Sequence, residues 1–269
     1  MAGNMGSAIL SGLLDATRSQ SDPPISSFIV VTKTVESADR LRCQFEQDES
    51  RLLVHHGTNV WAMEQADIVI LGCKPHMAEL VLGEEGVRDA LSGKFLISVL
   101  GGRTSQLHTR VTTQVRGPFV VRAMPNVAAR VRKSMTIIEH NPALPDELND
   151  TLCWIFSQIG EVKVLATDQF DIGSMLAGSS MAILSVVLDG ILDGCVVEGI
   201  RRSEALEMAA QSLLGMAELL RQGEQPAAYR ESVFSPRGAT IAGILTVEKA
   251  GVRGTFAQSM IDGTRRLQG

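Results

Sequence analysis

Gly3 and Gly6 flank Asn4-Met5 and lead straight into an apolar run that reaches Leu13-Leu14. Glycines at this spacing let backbone approach an anion, and a helix beginning behind them turns its free N–H groups and its dipole toward the same point. The chemistry is that of holding a pyrophosphate. The pattern is one glycine short of G-x-G-x-x-G, because Met1 stands where the first glycine falls. An ordinary helix start remains the alternative for these residues alone.

Further groups with chemical potential sit where strands are expected to end. Val31-Thr32-Lys33-Thr34 offers a cation between two hydroxyls and no carboxylate before Glu36. Behind the second strand of a dinucleotide fold, a basic residue accommodates a 2′-phosphate and an acidic one selects a free ribose hydroxyl, so this end favours NADP over NAD. A solvated lysine is the other reading. Lys74-Pro75-His76, Ser98-Val99-Leu100-Gly101-Gly102 and Arg122-Ala123-Met124-Pro125-Asn126 stand at three more strand ends. Ligands of open α/β sheets lie beyond the carboxyl ends of strands, which makes this edge the cofactor crevice.

The elements that must position these groups alternate. Helix is expected over Ser7–Arg18, Val35–Gln47, Asn59–Gln65, Met77–Leu82, Val87–Leu91, Thr104–Val111 and Pro145–Ile159. Strands are expected over Ser27–Thr32, Leu52–His55, Asp67–Cys73, Phe95–Leu100, Phe119–Arg122, Ser134–Glu139 and Glu161–Leu165. That alternation predicts a parallel sheet covered on both faces, a doubly wound, Rossmann-like α/β domain over residues 1–166. Residues 167–269 read as helix only, broken at Gly199–Arg202, Gly223–Pro226 and Gly251–Gly254. Their wide apolar faces call for cover by the sheet domain or by a second copy. No strand precedes Gly3, although the first strand of such a fold is central. The expectation is a domain truncated at its amino end, with two sheet edges left open.

Composition excludes several classes. With 25 basic and 30 acidic residues and a pI near 5.6, the chain is no obligate partner of nucleic acid or of an anionic membrane. Asp189, Asp193 and Glu198 interrupt the most apolar stretch, Met181–Ile200, against a spanning helix. Four scattered cysteines suit buried thiols in a reducing, cytoplasmic setting. The five histidines lack ligand spacing, so no metal site is expected. Trp61 and Trp154 read as packing residues.

In this order, Ala-Gly-Asn-Met-Gly, Lys74-Pro75, Arg122-x-Met-Pro-Asn126 and Ser235-Pro-x-Gly-Ala-Thr240 resemble pyrroline-5-carboxylate reductase over nearly the whole chain. The resemblance implies a Rossmann domain, an all-α dimerisation domain and NADPH-dependent reduction of a cyclic imine carboxylate to proline by a homodimer or higher homo-oligomer. It implies that Gly3, Asn4, Met5 and Gly6 line the pyrophosphate. Thr32, Lys33 and Thr34 would meet the 2′-phosphate, Asn59 would touch the cofactor, and Lys74 and Pro75 would lie along the nicotinamide. Met124 and Asn126 join them at the cofactor crevice. The substrate carboxylate would be held at Ser235, Gly238, Ala239 and Thr240, with the Thr240 hydroxyl, the catalytic candidate, close to the imine nitrogen and this loop given by the partner subunit. Ser179 is a further hydroxyl for substrate or a helix N-cap.

The chain departs from the family at Ala177–Ile183, at Val127-Ala128, at Leu100–Gly102 and at Arg237, which replaces a glycine. A reductase of another cyclic imine, with Arg237 on an extra anionic group, and an inactive dimeric scaffold are the competing expectations. The absence of Lys and Arg between Lys163 and Arg201 counts against the β-hydroxyacid dehydrogenases, whose catalytic lysine falls there.

Overall fold

Strand β1 (Phe28–Thr32) pairs in parallel with β2 (Leu52–His56), Phe28 opposite Leu52 and Thr32 opposite His56. In the computed structural model, which describes residues 3–101 and 119–268, a second sheet has the order β3 (Ile68–Leu71), β4 (Phe95–Ser98), β5 (Phe119–Met124), β6 (Ser134–Glu139), β7 (Gly160–Leu165). β3, β4 and β5 are parallel, as are β6 and β7. The expectation of an all-parallel sheet is corrected at one seam: β5 and β6 are antiparallel, with Ala123 opposite Ile138. The link between them, Pro125 to Lys133, holds only the short 3₁₀ turn Val127–Val131. A parallel return needs a crossover of a dozen residues or more, so this chain can only double back.

Helices cover both faces. α1 (Asn4–Thr17), α2 (Val35–Gln44) and α6 (Asp146–Ser157) close one side, where Leu14, Leu41 and Ile155 meet Phe95 and Ile97 of β4. α3 (Asn59–Gln65), α4 (Pro75–Leu82) and α5 (Val87–Ala90) close the other, where Met63, Val81 and Val87 meet Leu96. Alternate residues of β4 therefore enter opposite cores, and the whole strand is buried. α1 starts at Asn4, three residues ahead of the expected Ser7, because Gly3 in extended conformation serves as its N-cap. The helix expected over Thr104–Val111 lies outside the described residues.

By compactness the chain forms two units. The first runs through Gly178, including α7 (Thr167–Ser174), and takes in the chain from Gly263 on; the second is Ser179–Asp262. In the second, α8 (Ser180–Val197) and α9 (Arg202–Arg221) form a hairpin pinned by Arg202, which bonds Asp189 at 2.6 Å and also Asp193. α10 (Pro226–Ser232), α11 (Ala239–Lys249) and α12 (Val252–Gln268) follow, broken where glycines stand. Leu192 and Ala205 are the buried apolar residues of this unit, whereas Leu184, Val186 and Ile191 are 60%, 71% and 56% exposed. Thr167–Val197 is long and apolar enough to cross a membrane, by length and composition only.

Candidate functional site

α1 is held in place between Ala8 and Thr17. Arg51 donates to the Leu14 carbonyl and the Thr17 hydroxyl, each at 2.6 Å, while its guanidinium also binds Asp48. Arg18 reaches the same Asp48 at 2.8 Å. These partners, Arg18 first, hold the buried Asp48 carboxyl below the usual carboxylate range. Arg132 binds the helix at Ser11 and at Asp15, a carboxylate that Arg18 also reaches. The helix start is thereby aimed at one point. Ser7 N–H makes the first intrahelical bond, to Gly3 O at 2.9 Å, which leaves the N–H groups of Asn4, Met5 and Gly6 without helical partners. Among the described residues no side chain caps them.

The end of β3 adjoins that start, and the ends of β4 and β5 follow it along the sheet. A Cβ built on Gly3 would meet nothing nearer than Gly72 O, 3.9 Å away, just past β3. Val99 N–H, just past β4, bonds Leu71 O at 3.2 Å. Gly101 lies beside Met124 at the end of β5, where an added Cβ would stand 3.9 Å from the methionine methyl. Gly3, Gly72, Gly101 and Met124 thus share one edge, with Lys74 exposed behind β3 as the N-cap of α4 and Pro75 as its first residue. The space over Gly3 fits a bound pyrophosphate: among the described residues only Gly72 O comes within 4 Å of an added Cβ, the helix start carries donors, and the packing of those residues makes no demand there for a glycine.

At the end of β1 the hydroxyls are engaged within the protein. Thr32, fully buried, donates to Thr34 O at 2.8 Å. Thr34 caps α2 by accepting from Ser37 N–H at 3.3 Å. Glu36 has its carboxyl lowered, first by its own backbone N–H and then by Thr34. Lys33 is exposed, and among the described residues no carboxylate pairs with it, so it is the group open to a phosphate. Asn59 donates to Glu84 at 3.0 Å. Trp61, 38% exposed, is no core residue; it packs on His55 with ring centroids 4.8 Å apart.

Asn126, expected at the cofactor crevice, has its polar groups engaged within the protein. It is buried; its oxygen accepts from Ala128 N–H at 3.0 Å, its amide donates to Ala177 O at 2.9 Å, and its backbone N–H bonds Ser134 Oγ at 3.0 Å. Four residues upstream, Arg122 binds both Glu139 oxygens at 2.6 Å and lies over the Phe170 ring at 4.3 Å. In the sequence Arg122 is part of a motif, and the unbroken apolar run around it, Phe119 to Met124, is the signal that it is buried and needs a partner. The Ser98 hydroxyl is buried at the end of β4 without a partner among the described residues.

In the second unit, Ser235, Gly238, Ala239 and Thr240 form a turn and helix start. Gly238 N–H bonds Ser235 O at 2.9 Å, Gly238 is the N-cap of α11, and no side chain caps that helix. A Cβ on Gly238 would meet Ser235 Oγ and stand 3.0 Å from Ser235 O, so Ser235 would have to shift for any larger residue. Thr240 is exposed in the first turn, and Arg237 adopts φ 64°, a left-handed conformation that suits glycine. Ser179 stands at the N-cap of α8 but makes no capping bond.

Two family descriptions match the chain. "Pyrroline-5-carboxylate reductase dimerisation" covers residues 167–269, and "NADP oxidoreductase coenzyme F420-dependent" covers residues 2–102. The pyrroline-5-carboxylate reductase of Lophium arboricola is 38% identical over 284 residues, spanning 97% of this chain and 89% of that protein. That of Schizosaccharomyces pombe is 30% identical, spanning 99% and 96%. A crystal structure of 1-pyrroline-5-carboxylate reductase from Streptococcus pyogenes matches with a TM-score of 0.82 at 26% identity, over 99% of this chain and 95% of that one. Turn, strand ends and helical unit therefore occur together in the same order along close to the full length of these proteins, and the chain belongs to the pyrroline-5-carboxylate reductase family.

Proposed function

We propose that this chain reduces the C=N bond of 1-pyrroline-5-carboxylate to give L-proline, with NADPH as reductant. The observation that carries the reading is the shared edge: a helix start with no side-chain cap beside the end of β3, with the ends of β4 and β5 next along the sheet. Gly3, Asn4, Met5 and Gly6 bind the pyrophosphate through backbone N–H groups. Lys33 takes the 2′-phosphate, and Thr32 and Thr34 shape the loop that presents it. Asn59, Lys74, Pro75, Met124 and Asn126 border the cofactor, Asn126 by fixing the chain around it.

NADPH, when bound, supplies the hydride that the imine carbon accepts, and the nitrogen carries a proton taken from solution. A protonated imine is already electrophilic, so orientation matters more than a strong general acid. The N–H groups at Ala239 and Thr240, which follow Gly238 at the start of α11, receive the substrate carboxylate, and the Thr240 hydroxyl positions the nitrogen. Ser235 braces Gly238, and Ser179 offers a further hydroxyl.

The exposed apolar face of α8 is covered by a second copy, in keeping with the dimerisation family that matches there, and the enzyme works in the cytoplasm as a homodimer or larger homo-oligomer. Residues 1–166 form the cofactor domain and residues 167–269 the dimerisation and substrate domain. The cation at Arg237, beside the α11 start, favours one second reading, a cyclic imine bearing an additional anionic group. Purified protein is mixed with NADPH and either pyrroline-5-carboxylate or its six-membered homologue, and loss of nicotinamide absorbance is followed alongside amino-acid product. Turnover of the five-membered ring supports the proposal; turnover of the larger ring alone selects the second reading. NADPH that neither binds nor reacts with either ring would leave a scaffold.

A further inference from the structure

α7, the five residues Met175–Ser179 and α8 form one unbroken helix, Thr167–Val197, yet Met175–Ser179 are wound as a π-helix. A π turn takes in one residue more than an α turn, is rare, and occurs frequently at functional sites. The local sequence does not ask for it: Met175-Leu176-Ala177 are all strong α formers. What sustains the wide turn must therefore come from outside the helix.

α7 is seated without help from the turn. Arg122 of β5 lies over the Phe170 ring at 4.3 Å and stands 3.7 Å from Asp171. A Cβ on Gly173 would run into the Leu165 side chain, so the helix lies close on β7. The π turn has holds of its own. Asn126, just beyond the end of β5, donates its amide N–H to Ala177 O at 2.9 Å. Gly263 of α12 backs the turn at Met175, where a Cβ would run into the thioether sulfur and methyl. Asn126 has this donor to spare. Its oxygen accepts from Ala128 N–H and its backbone N–H bonds Ser134 Oγ, and those two bonds fix the chain after β5. An amide side chain carries donor and acceptor on separate atoms, so it can serve loop and helix at once.

Ser179 closes the turn. It is exposed and makes no capping bond. Beside it, a Cβ built on Gly178 would meet nothing within 4 Å among the described residues, so there is open space next to the hydroxyl. We infer that Asn126 is a positioning residue for the imine: through Ala177 O it holds the π turn so that the Ser179 hydroxyl hydrogen-bonds the substrate, with Gly263 backing the same turn through Met175. The inference rests on the proposed reduction of 1-pyrroline-5-carboxylate.

The test compares the parent with Asn126→Asp, Gly263→Ala, Ser179→Ala and the Asn126→Asp/Ser179→Ala double variant. Asn126→Asp keeps the acceptor for Ala128 N–H but sets an oxygen against Ala177 O. KM for pyrroline-5-carboxylate should rise about tenfold, the scale of one lost hydrogen bond, with kcat and the Kd for NADPH moving less. Hydrogen exchange of amides 175–180 should quicken about tenfold while Thr167–Asp171 keeps the parent rates. Gly263→Ala displaces the turn through Met175 and should give the same split between KM and Kd; it decides the matter if Asn126→Asp does not fold. With Ser179→Ala already present, Asn126→Asp should add less than about twofold to KM, because the two residues act as one unit. An unchanged KM, a Kd for NADPH that rises as far as KM, unchanged exchange at 175–180, or full additivity with Ser179→Ala would overturn the inference while the parent remains active. A parent that does not turn over the five-membered ring would overturn the underlying reading and the inference with it.

Discussion

The side-chain amide of Asn126 donates to the carbonyl of Ala177 at 2.9 Å, tying the end of β5 to the segment that follows α7. Asn126→Ala removes this bond and the 3.0 Å bond to Ala128 N–H together. Denaturant unfolding is expected to show a loss of about 1–3 kcal/mol, the range for buried hydrogen-bonding groups left unmatched. NADPH affinity, read by fluorescence quenching, should fall less steeply than stability; a large affinity loss with unchanged stability would instead make Asn126 a direct ligand.

Lys33 is the open cation at the end of β1. Lys33→Ala should raise the Kd for NADPH about tenfold, the scale of one charge-assisted hydrogen bond, and leave NADH almost unchanged. Parallel titrations with the two cofactors check this, since a change common to both would mean damage to the turn and not a lost phosphate contact.

Arg237 has φ 64° where glycine is at ease. Arg237→Gly should raise stability, because a left-handed non-glycine residue carries a strain on the order of 1 kcal/mol. Glycine's greater freedom in the unfolded chain offsets part of the gain. The melting temperature reports it, and KM for the imine separates this strain from any direct charge on substrate: KM rises only if the guanidinium touches the ligand.

Asp48 is buried between Arg18 and Arg51, and its folded pKa is lowered. A lowered carboxyl pKa contributes stability above the unfolded value of about 3.9. That contribution is lost as pH falls through the folded value. Asp48→Asn should cost about 3 kcal/mol at neutral pH, with the gap to the parent narrowing in acid. Urea unfolding at neutral and acidic pH measures both; a gap that widened in acid would reverse the assignment.

Leu184 lies on the apolar face of α8. Leu184→Glu places a charge where a second copy is proposed to pack, so sedimentation velocity should show a shift toward monomer. A species distribution identical to the parent would move the interface elsewhere.

The order of strands and helices was legible because each element states its own period: β4 is a continuous apolar run up to Ser98, and α9 and α11 begin and end near glycine or proline breaks. The glycine turn was legible for the same local reason. The reversal at β6 was less so, since it depends on how short the Pro125–Lys133 link is against the span of a crossover. At the site, spacing identified Lys33, Lys74 and the Ser235–Thr240 turn. It did not reveal that Thr32 and Thr34 bond within their own loop, or that Asn126 faces Ala177, because those partners are set by tertiary packing.

By itself the sequence determined which segments are strand or helix, where the phosphate-binding turn stands, and which family the motifs resemble, since all of these depend on residue types at short fixed separations. Tertiary structure alone decided which polar groups are engaged and which remain open. Arg51 and Leu14 are distant along the chain yet bonded at 2.6 Å. Burial and pairing depend on distances through space, and these exist only after the chain has folded.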